Sequence, residues 1–158
     1  MSSTIFILTL AAVLGSGIVA GIFYAFSSFI MGALGRLPPH EGIAAMQSIN
    51  IVVINPVFFL AFFGTALLSL ILGGYAVMNW GAAGAGLLFF GALFYLAGCI
   101  LVTVIFNVPL NNRLAKVESA SPQGAEVWQH YLVAWTRWNT VRTVAPSISL
   151  VLFVLAMV

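Results

Sequence analysis

The chain has 158 residues, 63% of them hydrophobic and only 5% charged, with a mean hydropathy of +1.16. A water-soluble domain carries charge on about a quarter of its residues, so this composition excludes one and leaves a chain dissolved in lipid. The formal charge of +2 rests on five Lys and Arg against three Glu, with no basic run, which excludes a nucleic-acid-binding surface.

Four apolar runs are long enough to cross a hydrocarbon core of about 30 Å, which takes about 20 helical residues. The first covers roughly residues 4–34. It lacks the basic start of a signal peptide and is longer than the roughly 7–15-residue apolar core of one, so it reads as a retained helix. Gly17, Gly21 and Ala25 recur along it every fourth residue. Pro38 and Pro39 end it. In the loop 35–56, Ile43, Met46, Ile49, Asn50 and Val53 fall at helical spacing and predict a short helix over 41–53. Gln47 and Asn50 share a face there, and Pro56 leaves Asn55 at a break.

The second run, roughly 57–78, carries Ala61, Thr65, Ser69 and Gly73 at four-residue spacing. A turn at Asn79-Trp80-Gly81 leads into the third, roughly 82–106, where Gly84, Gly91 and Gly98 recur every seven residues. Small residues let helix backbones approach where lipid offers no hydrophobic drive, so stripes on three spans predict a compact bundle. No repeat relates the two halves, which argues against a transporter built of inverted repeats.

The second loop opens with Asn107-Val-Pro-Leu-Asn-Asn-Arg113, where the last turn of the third span meets Pro109. Ser121-Pro122 is an N-cap followed by proline at the first helical position. From there Val127, Trp128, Tyr131, Leu132, Trp135 and Trp138 line one helical face over 123–139, and Glu126, His130 and Arg137 avoid it. This predicts an amphipathic helix at the interface running into the fourth span, roughly 140–158. The expected fold class is therefore all-α: an integral membrane four-helix bundle in one domain over residues 1–158, with an interfacial amphipathic helix before the last span. An even number of crossings puts both termini on one side. Every Lys and Arg flanks the two loops on the other, so the positive-inside rule places the loops in the cytoplasm and the termini outside a cell membrane.

Interfacial belts, snorkelling and capping account for Arg36, Lys116, Glu118, Trp80 and Trp128. Arg142 differs, because it precedes an apolar run to the terminus and would carry its guanidinium into the membrane. There it needs internal partners, expected among Asn107, Asn111, Gln47 and Asn50. Asn139, three residues earlier, joins it in a candidate pocket. His40 and His130 are the only imidazoles and read as solvated interfacial residues. No Cys, His and carboxylate spacing fits a structural zinc site, and haem would need histidines inside the spans. The chain has no aspartate, which excludes a Ser-His-Asp triad. Cys99 reads as a small mid-membrane hydrophobe. No metal or cofactor is called for.

The segments Gly17-Ile-Val-Ala-Gly21-Ile-Phe-Tyr-Ala-Phe-Ser27, Met46-Gln-Ser-Ile-Asn50, Asn107-Val-Pro-Leu-Asn111 and Trp135-x-x-Trp-Asn139-x-x-Arg142 resemble the anthrone oxygenase-like proteins. These are small four-helix membrane proteins, and their fungal members oxidise anthrones to anthraquinones. The resemblance covers nearly the whole chain. It implies an apolar slot, hydrogen-bond donors for an oxyanion, and a base. Phe23, Tyr24, Phe26, Trp135 and Trp138 are candidates for the slot, and Arg142, Gln47, Asn50, Asn107 and Asn139 for the donors. His130 or Tyr24 is the candidate base, with the acidity of the substrate itself as the alternative.

Three functions stay open at this stage. The chain is a cofactor-independent oxygenase of an anthrone- or quinol-like lipophile, a non-catalytic binder of a small membrane-soluble molecule, or a structural membrane subunit. The expected partners are the lipid bilayer and that lipophilic small molecule, with a homo-oligomer left open.

Overall fold

Prolines and capping side chains cut this uniformly apolar chain into five helices. The computed structural model describes every residue from Met1 to Val158, and all its regular structure is helical. Helix α1 spans Ser3–Leu34, α2 Pro39–Val52, α3 Pro56–Met78, α4 Ala85–Ala115 and α5 Pro122–Leu155. Side-chain oxygens of Asn55 and Ser121 accept the Phe58 and Gly124 amides at 3.0 Å each, opening α3 and α5. Proline stands at the start of α2, α3 and α5, where a helix has no use for its missing donor. Gly84 adopts a φ of 80° just before α4, a backbone conformation that disfavours any Cβ. It belongs to this turn, not to a packing stripe.

All but the short α2 are long and apolar enough to cross a membrane. These four close a ring in which α1 packs on α3 and α5, and α4 on α3 and α5. No more than 33% of any span is buried within the protein, so Leu14, Leu60, Leu67 and Leu70, among others, face outward as a lipid-facing surface would.

Three apolar clusters stack along the bundle. At the terminus side, Ile5, Ala12, Leu72, Ala76, Leu88, Ala92 and Phe153 pack together. Mid-bundle come Val19, Phe23, Phe62, Ala66, Tyr95 and Cys99. At the loop side, Met31, Leu34, Ile43, Met46, Leu114, Val127, Trp128, Tyr131 and Trp135 form the largest cluster. That last cluster gives the amphipathic stretch of α5 its place. The stretch continues unbroken into the last span, and its apolar face is covered by α1, α2 and α4 rather than by lipid.

The small-residue stripes are used selectively. A Cβ on Gly91 would meet the Phe153 ring at 2.8 Å, one on Gly73 would meet Ala92 at 3.1 Å, and one on Gly98 would collide with Ala145. Gly15, outside any expected stripe, lies against Thr65, whereas Gly21 faces open space.

A wide turn of π-helix occurs at Phe26–Ile30 in α1, and two more at Leu96–Leu101 and Thr103–Asn107 in α4. The last explains a departure from expectation, since the helix does not end at Pro109 but runs on to Ala115. Pro109 has no N–H for the preceding turn, and widening that turn re-registers its hydrogen bonds around the gap. Thr103, Asn107 and Asn111 consequently lie at four-residue spacing along one continuous helix.

Candidate functional site

Arg142 is only 5% exposed, within a span. Its Nη2 donates to Asn139 Oδ1 at 2.8 Å and its Nη1 to Thr103 Oγ1 at 3.4 Å, while Nε has no partner. The guanidinium carbon lies 4.2 Å from the centre of the Phe23 ring and 5.0 Å from that of Trp135. Desolvated cation–π contacts of this kind are worth about 2 kcal/mol, but they do not neutralise the charge. No carboxylate does either. Glu41, Glu118 and Glu126 are all exposed, and the only ion pair in the protein joins exposed His40 and Glu41 at 3.9 Å. Pro146, four residues on, cannot donate to the Arg142 carbonyl, so backbone and side chain both carry unused polar capacity at this position.

Asn139 is fully buried and sets the guanidinium in place. Its Nδ2 donates to the Phe23 carbonyl at 2.7 Å and to Ser27 Oγ at 2.8 Å, which leaves Oδ1 for Arg142. The Phe23 carbonyl stands just before the wide turn of α1 and also accepts the Phe26 amide, so it takes the α5 amide as a second bond.

Arg142 lines a cavity of about 290 Å³ together with Phe23, Phe26, Phe58, Phe62 and Trp135, and with Asn50, Thr103 and Asn111 as its other polar residues. The volume is near the lower end of small-molecule pockets, which run from about 300 to 1,000 Å³. Its walls are aromatic. Phe58 stacks on Phe62 at 5.4 Å, Phe23 meets Phe62 edge-on at 6.3 Å, and Phe26 packs on Trp135 at 5.5 Å. Such a slot suits one small planar molecule. Asn111 is fixed at its edge, because Tyr131 Oη and Trp135 Nε1 both donate to its Oδ1 at 2.8 Å.

The residues expected from sequence divide accordingly. Arg142, Asn50, Asn111 and Trp135 share the slot, and Asn139 stands behind it. Arg142 bonds to Asn139 and Thr103, not to the amides of Gln47, Asn50, Asn107 or Asn111 expected as its partners. Asn107 donates to the Trp135 carbonyl at 3.2 Å and does not line the slot. Gln47 donates to the Leu114 and Val117 carbonyls at 2.9 and 3.1 Å, binding α2 to the end of α4. Trp138 is stacked 3.6 Å from Phe106, outside the slot. Tyr24 is 62% exposed, and His130 is exposed as well. Neither candidate base reaches the cavity, because both lie on the outward faces of their helices.

Sequence reasoning missed Thr103 and the α3 aromatics. The signals are Thr103 four residues before Asn107, and the paired aromatics Phe58-Phe59 and Phe62-Phe63 at helical spacing.

A family model described as anthrone oxygenase matches residues 58–152. No curated protein and no solved structure matches the chain. The matched segment contains Thr103, Asn111, Trp135, Asn139 and Arg142, and leaves the α1 and α2 walls of the slot outside it. Since that segment is more than half of the sequence and holds the guanidinium together with its bonded partners, the chain belongs to the anthrone oxygenase family, as a protein with four membrane-span-like helices.

Proposed function

We propose that the protein binds a flat, lipophilic, acidic aromatic ketone or phenol of the anthrone class beside Arg142, and adds dioxygen to it without metal or flavin. The observation that carries this reading is a buried guanidinium with no counter-ion at the end of an apolar slot. An unpaired buried cation is costly, and a slot built around one favours a ligand that brings or develops negative charge. An anthrone does so. Loss of a proton from its ring CH₂ gives a carbanion delocalised onto the oxygen, which Arg142 stabilises as the charge forms. Dioxygen then bonds to that carbon. The resulting hydroperoxide, once protonated, loses water, so one oxygen atom becomes the new carbonyl and the other leaves in water with the second CH₂ hydrogen.

No imidazole or carboxylate lines the slot, so the first proton passes to water, and the acidity of the substrate, raised by Arg142, replaces a dedicated base. The same feature favours a second reading, a non-catalytic binder of an anionic lipophile. Oxygen uptake by purified protein supplied with anthrone separates the two. Uptake with formation of the quinone is expected, and it should fall at least about tenfold in Arg142→Met. Tight binding with no uptake above the spontaneous rate would leave the binder.

The proposed orientation has the loop end in the cytoplasm and both termini outside, and it is supported by Arg36, Arg113, Lys116 and Arg137, which all lie toward the loop end of the bundle. A reporter that works only in the cytoplasm, fused after Val158, should be silent. Activity there would reverse the orientation.

A further inference from the structure

A second groove of about 350 Å³ adjoins the slot and shares Asn50, Ile54, Val108 and Asn111 with it. Its α2 side presents Gln47, Asn50, Ile51 and Ile54, and its α4 side Val108, Asn111, Asn112 and Ala115. The α4 set follows the i, i+3, i+4, i+7 spacing of a single helical face, and Gln47, Asn50 and Ile51 share a face of α2, with Ile54 just past its end. Four amides line the groove and no charged side chain does.

Two of these amides have a fixed polarity. The Trp135 indole can only donate, so the Asn111 atom it meets must be the oxygen, and the amino group of Asn111 remains available as a donor. Backbone carbonyls can only accept, so the Gln47 atom bonded to Leu114 and Val117 must be the nitrogen, and its Oε1 remains available as an acceptor. The groove therefore offers a set donor and a set acceptor, both neutral and both held by other parts of the fold.

We infer that this groove is a second subsite for the molecule held in the slot, and that it selects a hydroxyl substituent. A hydroxyl both donates to Gln47 and accepts from Asn111 or Asn112. An ether or ketone satisfies only the donors, and a carboxylate or ammonium would enter a neutral site with no opposite charge. The inference rests on the reading of the slot as an anthrone-class site.

The test compares anthrone, a monohydroxylated anthrone and its methyl ether, binding to the intact protein in detergent without oxygen, so that turnover does not intrude. The hydroxylated compound should bind about tenfold tighter than anthrone, and the methyl ether should lose most of that gain. Gln47→Met should erase the difference between hydroxyl and ether. Asn112→Leu, at an exposed position that leaves the Gln47 bonds intact, should fill the groove and reduce the gain as well. Arg142→Met should weaken all three compounds alike. Equal binding of the three to the unaltered protein, or a hydroxyl gain that survives both groove variants, overturns the subsite while leaving the slot. Failure of all three to bind the unaltered protein removes the slot reading, and the subsite with it.

Discussion

Along the bundle axis, the terminus-side half is closed by small residues against large ones, whereas the loop-side half is held open by polar groups. In the first, Gly73 and Gly91 admit Ala92 and Phe153, and the buried polar groups are single hydroxyls such as Thr9, Ser69 and Ser149. In the second, a guanidinium, several amides, one aromatic-walled cavity, an amide-lined groove and the wide helical turns at Phe26–Ile30 and Thr103–Asn107 lie together. Helix packing in lipid depends on close van der Waals contact, which the terminus-side half supplies almost without polar groups and the loop-side half supplies through the cluster around Trp128. The loop-side half contains features that cost stability, namely an uncompensated charge and interrupted helical ladders. A fold keeps such features where they serve a function and offsets them elsewhere.

The division is tested most severely by Gly91→Leu. The new side chain would start 2.8 Å from the Phe153 ring, and the ring is fully buried with no room to yield. Overpacking of this kind costs about 1–3 kcal/mol or more. We expect the variant to accumulate poorly, or to melt well below the parent in detergent. Parent-like melting would mean that the terminus-side half is not the stabilising one.

Arg142→Met should behave in the opposite way. Replacing a buried unpaired charge by an apolar side chain of similar length removes its desolvation cost, against which stands about 1–3 kcal/mol for the partner lost by Asn139 Oδ1, so the melting temperature should stay near that of the parent while ligand binding is lost. Arg142→Lys keeps a charge but loses the planar fork that reaches Asn139 and Thr103 and stacks between Phe23 and Trp135. It should bind the ligand about tenfold more weakly. A collapse of stability in Arg142→Met would assign the guanidinium to structure and remove the argument for a functional site.

The contrast between the halves also explains what could be read from sequence. Length, hydropathy and the near absence of charge dictate four membrane-span-like helices, and Ser121-Pro122 marks the start of α5 to the residue. Arg142 stands out because a charge before an apolar run has few cheap explanations. The partners of Arg142 were not legible, because they depend on helix rotation and on one widened turn. The shift at Thr103–Asn107 carries α4 past Pro109, turns Asn107 toward the Trp135 carbonyl and brings Thr103 to the guanidinium. Tyr24 and Trp138 illustrate the same limit, since an aromatic beside a motif is one helical step from facing lipid.

The smallest expected effect belongs to Gly21→Leu, and it addresses the small-residue stripes directly. Gly17 and Gly21 look alike in sequence, yet a Cβ on Gly17 would meet Leu150 at 3.1 Å, while nothing lies within 4 Å of one on Gly21. Gly21 is exposed on the outer face of α1. Leucine there gains helix propensity over glycine and favourable lipid contact of about 0.3–0.6 kcal/mol, so stability should stay within about 0.5 kcal/mol of the parent or rise slightly. Ligand binding should not change, since Gly21 does not line the slot. A large loss of stability would require a neighbour that a single chain does not supply. Loss of a dimer band in cross-linking of Gly21→Leu, relative to the parent, would identify that neighbour as a second copy of this chain packed on the outer face of α1.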